Sequence, residues 1–188
     1  MKKLLIRYCN TSNFLFPLII LLLLVFSSCL SIKPSTTKQG KKDFETFYVG
    51  EEGTQYFIKP IFFKDEKSKE DLILDITFRY KNEIKDSAIV NFSIKSTIIY
   101  KTINSLKLSN KDTEIKSDNI VLLFNEKNKT GFTSRYSTKF SLKEIKELFN
   151  NDSWGVTIYN QNIITKYEPY KKTIRAINAV RERLFVLM

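Results

Sequence analysis

The chain has 188 residues, with 31 Lys and Arg against 20 Asp and Glu, a formal net charge of +11, two cysteines and no histidine. The lack of histidine excludes Ser-His-Asp and Cys-His catalysis and His-ligated zinc; few enzymes manage without it, though carboxylate and Ser–Lys mechanisms do. The basic surplus is spread along the sequence, with no block of five like charges and no cluster of cations with stacking aromatics. That is the pattern of a solvated surface, and it argues against a nucleic-acid partner.

Residues 1–13 carry Lys2, Lys3 and Arg7 and no acid, and residues 14–26 are apolar without interruption. Ser27, Ser28 and Cys29 follow. A basic head, a short apolar middle and small residues at a cut site are the layout of a secretory signal. A helix crossing the bilayer needs about 20 apolar residues, so this run predicts removal rather than retention. An uncleaved single-pass anchor, reached by admitting Ser27, Ser28 and Ser31, is the alternative.

Phe26-Ser27-Ser28-Cys29 resembles the lipobox of bacterial lipoproteins, with Phe26 standing where the family usually carries Leu. The resemblance covers only the leader. It implies a diacylglyceryl group on the Cys29 sulfur, cleavage between Ser28 and Cys29, and acylation of the new amino terminus. The implied partner is the lipid bilayer, through Cys29, at a bacterial cell envelope. By resemblance to enteric lipoproteins, the lack of Asp directly after Cys29 does not argue for inner-membrane retention, and the expected place is the outer membrane or cell surface rather than the inner membrane. Each buried methylene contributes about 0.8 kcal/mol, so two or more acyl chains hold where one binds marginally. With Cys9 in the discarded head and Cys29 capped, no disulfide forms, and the fold must rely on its core.

The expected domains are therefore a signal peptide over 1–28, a lipidated cysteine and flexible tether over 29–43, and one β-rich domain over 44–188. The tether contains Pro34 and Gly40 and lacks periodicity; fourteen residues of coil span about 20 Å. From Phe44 the period is two. Strands are predicted over 44–49 and 55–63, separated by Gly50 and Gly53, with Pro60 making the second an edge or breaking it. A charged loop over 64–71 precedes the clearest strand. In it Leu72, Leu74, Ile76, Phe78 and Tyr80 share a face, and a one-residue slip would bury Asp75 and Arg79. Further strands are expected at 88–94, 97–101, 105–108 and 119–124. Loops are expected at 111–118 and 125–131, and then a long strand with Phe132, Tyr136 and Phe140 on one face.

At Ser141 the period changes. Ser141 and Glu144 have capping-box spacing. Leu142, Ile145, Leu148 and Phe149 form a helical apolar stripe, stopped by Asn150-Asn151-Asp152. Strands resume around Trp154, Val156 and Ile158 and again over 163–167. Ile174, Ile177, Val180 and Leu184 predict a terminal helix over 170–188, whose last five residues could instead be a strand. The expected fold is mainly β: an antiparallel β-sandwich-like domain with a short helix near 141–150 and a C-terminal helix.

No residue earns a catalytic, cofactor-binding or metal-binding role, and no cofactor is implied. The acid pairs Glu51-Glu52, Asp65-Glu66 and Glu70-Asp71 sit among lysines in predicted loops and read as solvated turns. Ser141 beside Lys143 is already explained as a cap. Trp154 reads as core. Cys29 is the only assignable functional residue. The expected function is a non-catalytic, membrane-tethered binding or assembly module with an envelope protein as possible partner. A His-independent hydrolase using paired carboxylates is the rival.

Overall fold

A computed structural model describes residues 43–65, 67–81, 87–161 and 163–188. Cys29, the leader and all of the tether but its last residue, Asp43, lie outside them. The described residues form ten strands: β1 (Phe44–Tyr48), β2 (Thr54–Asp65), β3 (Glu70–Tyr80), β4 (Ser87–Ser96), β5 (Ser105–Ser109), β6 (Glu114–Ser117), β7 (Val121–Asn128), β8 (Gly131–Ser141), β9 (Gly155–Asn160) and β10 (Ile163–Pro169). Helix α1 (Leu142–Phe149) joins β8 to β9, and α2 (Lys171–Arg183) follows β10. Among the described residues no helix is long and apolar enough to cross a membrane.

All pairing is antiparallel, in the order β6-β5-β9-β10-β2-β3-β4-β8-β7, with β1 beside β2. The sheet is nearly two sheets, because β10 meets β2 only through Glu168↔Lys64 and Pro169↔Phe63. It curls there, and the β6 end arrives over β8: Ser117 Oγ lies 2.6 Å from Thr138 Oγ1, which in turn donates to the Asn119 carbonyl at 2.8 Å. The result is mainly β and sandwich-like, as expected.

The core follows from the period-two pattern. Leu72, Leu74, Ile76 and Phe78 of β3 are buried, as are Ala88, Val90, Phe92 and Ile94 of β4. Ser134, Tyr136, Thr138 and Phe140 of β8 complete that inner face. Leu106, Leu108, Val156 and Ile158 come from the smaller sheet. Helix α1 buries all four residues of its predicted stripe, and its start has the expected capping box, with the Ser141 N–H donating to Glu144 Oε2 at 3.2 Å. Helix α2 buries Thr173, Ile177 and Val180, so Thr173 takes the place expected for Ile174. The final turn, Phe185–Leu187, is 3-10 rather than strand.

Pro60 neither ends β2 nor puts it at an edge. Lys59 and Pro60 together oppose Asp75, since the register steps from Ile58↔Ile76 to Ile61↔Leu74. This is a bulge, a place where a sheet tolerates the missing N–H. The edge of β2 away from β3 is shared among several partners. Strand β1 pairs with Thr54 to Ile58, the Asp43 carbonyl accepts from the Lys59 N–H at 2.9 Å, and Thr173 and then β10 serve the remainder. Pro60 lies where no donor is required.

Other expectations shift at their boundaries. The 64–71 loop is shorter, because β2 reaches Asp65 and β3 begins at Glu70. The segment 97–101 is not a strand, whereas Glu114–Ser117 inside the expected 111–118 loop is one. Strand β7 continues to Asn128, which pairs with Gly131, so only Lys129 and Thr130 turn. Gly53 has φ +90°, and a Cβ there would meet the Tyr80 carbonyl at 2.5 Å, so the turn into β2 requires glycine.

Candidate functional site

Of the described members of the acid pairs, Asp65 stands opposite Glu70 across the β2–β3 hairpin, but their carboxylates are engaged separately. Glu52 meets the Arg79 guanidinium. Asp65 folds its carboxylate onto the Lys67 and Ser68 N–H groups and the Ser68 hydroxyl, at 3.3, 2.9 and 2.6 Å, closing the β2–β3 turn and lowering its pKa. Asp71 accepts the Tyr170 hydroxyl at 2.6 Å. Among the described residues no three carboxylates lie close enough to share a metal ion. Ser141 is a helix cap. Trp154 is core: it is buried, its ring centroid is 4.7 Å from that of Phe149, and Nε1 donates to the Leu148 and Asn151 carbonyls at 2.9 and 3.0 Å.

Glu70 departs from its reading as a solvated turn residue. It is only 6% exposed, and hydroxyls surround it. Tyr167 donates to Oε2 at 2.8 Å, Ser96 donates to Oε1 at 2.7 Å, and the Tyr100 hydroxyl lies 3.0 Å from both oxygens. The donors come from β4, from the 97–104 connection and from β10, so one carboxylate ties the two halves of the sheet together. Tyr100 is itself pinned, its N–H donating to Ser134 Oγ at 3.2 Å and its carbonyl accepting the Tyr136 hydroxyl at 2.6 Å. Burial first, then the Glu70 charge and hydrogen bond, push the Tyr100 hydroxyl up to about 12 and raise Tyr167 as well. Both phenols therefore stay protonated as donors at neutral pH. A cage of hydrogen-bonded groups around an acid that is almost wholly buried acts as an architectural element. The alternation of β3 placed Glu70 on the Leu72 face, which was the one signal in the sequence for its burial.

The exposed counterpart is β7. Every residue of it is exposed, although four in a row are large and apolar: Val121 55%, Leu122 40%, Leu123 49% and Phe124 45%. The topology explains this. The smaller sheet ends at β6 above β8, and β7 hangs one strand further out. Leu122 opposes the buried Tyr136, and so lies on the inner face; Val121 opposes Ser137 and Phe124 opposes Arg135, on the outer face. Leu123 is the extra residue of a bulge. Apolar side chains thus line both faces of a terminal strand whose second edge, among the described residues, pairs with no other strand.

A sheet edge carries a row of unpaired N–H and C=O groups, and folds usually blunt it with charge, proline or a short strand. Glu126 and Lys127 do so in the second half of β7. The first half has only the bulge. No protein-family model, no curated protein and no solved structure matches the chain.

Proposed function

We propose that the chain is a non-catalytic binding module of a bacterial envelope, held to the outer membrane or cell surface by an acylated Cys29. Its β7 edge receives an extended segment of an envelope protein. The observation that carries the binding reading is the four-residue apolar run on an overhanging edge strand. The occupant that fits is a polypeptide strand. Only another backbone offers donors and acceptors at the spacing of an open sheet edge, with side chains to cover both faces. A lipid surface could cover the leucines but would leave the edge amides without partners. Cys29 supports the tethered part of the reading through its place directly after a short apolar run.

A photo-crosslinking residue at Leu123, in the native envelope, tests the edge. The expected product is a specific crosslink to a second polypeptide, lost when Val121→Lys is added. That substitution should leave stability within about 0.5 kcal/mol, as surface changes do. Crosslinks to lipid alone, or a pattern indifferent to Val121→Lys, would refute strand addition at β7.

A further inference from the structure

The outer face of the larger sheet holds a second feature, independent of β7. Pairing sets Phe57, Thr77, Ile89 and Lys139 in one row across β2, β3, β4 and β8, and Asp75 beside Asn91 in the next. Two depressions of about 450 Å³ each adjoin at Thr77: one is walled by Phe57, Asp75, Asn91 and Arg135, the other by Gln55, Arg79, Ile89 and Lys139. Together they make a trough across the strands, apolar at its middle and polar at both ends.

Three of the four cations that line the trough are paired with acids, and Lys139 at one end is the fourth. Arg135 lies across β4, with Nη2 2.6 Å from Asp75 Oδ2 and Nη1 donating to Ser93 Oγ at 2.9 Å. Arg79 is held by Glu52 and donates from Nε to Gln55 Oε1 at 2.8 Å. Lys59 pairs with Glu45 at 3.2 Å. Arg135 is held in place and both guanidiniums are paired, which weakens the attraction for a phosphate or other polyanion and leaves Lys139 as the one cation of the lining outside an ion pair among the described residues. The Asn91 carboxamide and the Thr77 hydroxyl have no hydrogen-bond partner among the described residues and are partly exposed. Phe57 is exposed, and Phe47 packs perpendicular to it at 5.4 Å between centroids, which sets the ring's orientation.

A ligand matched to this surface presents hydroxyls along its edges, an apolar C–H face and no net charge. We infer that the trough binds a neutral oligosaccharide. One pyranose ring lies against Phe57 and the next reaches Ile89 across Thr77, and their hydroxyls bond Asn91, Thr77, the second oxygen of Asp75 and Arg135. Pockets of this kind combine apolar walls with a few oriented polar groups. The length of the double trough suits several sugar units rather than one.

The test titrates the full chain, extracted in detergent, with cellopentaose, chitopentaose and maltopentaose, and with dextran sulfate as the anionic control, following backbone amides by NMR. At least one neutral pentasaccharide should shift the Thr77 and Asn91 amides saturably, and Asn91→Ala and Phe57→Ala should each weaken it by about tenfold. Both side chains are solvent-accessible, so the fold tolerates the changes; Thr77→Val, nearly isosteric, provides a third variant expected to weaken binding. The inference is overturned if no neutral probe shifts these amides at about 10 mM, a dissociation constant too weak for a specific site. It is equally overturned if the three variants bind as well as the parent, or if only dextran sulfate binds.

Discussion

At the scale of single residues, Glu70 joins three separate segments of the described fold through its carboxylate. It accepts from Tyr167, Tyr100 and Ser96, whose hydroxyls have no other acceptor of equal charge. Removing it deprives three buried or half-buried donors of their charged acceptor. Each such group costs about 1–3 kcal/mol. Glu70→Ala should therefore lower unfolding free energy by at least about 3 kcal/mol in urea titrations, against about 1 kcal/mol for Tyr167→Phe, which removes one donor and leaves the acid two others. Equal losses would show that the cage does not act as a unit. The same residues set a pH dependence. In the unfolded chain a tyrosine ionises near 10, whereas burial and Glu70 hold Tyr100 at about 12 in the fold. Above pH 10 the unfolded state loses protons that the native state keeps, so stability is full below about 10 and falls as the pH rises towards 12. Thermal melts across that window should show the fall.

At the scale of elements, the informative case is how α2 seals the seam between the two halves of the sheet. Thr173 Oγ1 accepts from the Phe62 N–H at 3.1 Å and donates to the Phe62 carbonyl at 2.6 Å, substituting for a strand where β10 has ended. Thr173→Val keeps the shape and removes both bonds, and should cost about 2 kcal/mol, read by urea denaturation; a neutral change would mean water replaces the hydroxyl. This joint also shows what the sequence could convey. Strand β3 and helix α1 were legible because local periodicity and a capping pair determine them. The Thr173 contact spans 111 residues, and no local pattern encodes it. Helical spacing alone favoured Ile174 for the buried stripe, but the seam presents backbone polar groups and selects the hydroxyl. Pro60 misled for the same reason: its missing N–H matters only against a neighbouring strand, and there β1 gives way to Asp43 and α2.

At the scale of the whole molecule, asymmetry is the main result. Ten strands cover one core, but the two halves of the sheet differ in width, so β7 projects beyond it. Length and composition anticipated a core of ordinary size. They could not anticipate which strand would overhang, because Val121 to Phe124 read locally like any buried strand; exposure is set by where the opposite half of the sheet stops. Likewise the trough combines residues from four strands and was invisible as a motif. The module reading joins this asymmetric sheet to a tether whose chemistry rests on one residue. The most direct test of that union is the intact mass of the protein extracted from its native membrane. The account predicts a chain that begins at Cys29 and carries added acyl mass, and a Cys29→Ala variant that loses both processing and membrane partition. A species beginning at Met1 with an unmodified Cys29 sulfur, still held in the membrane, would contradict it.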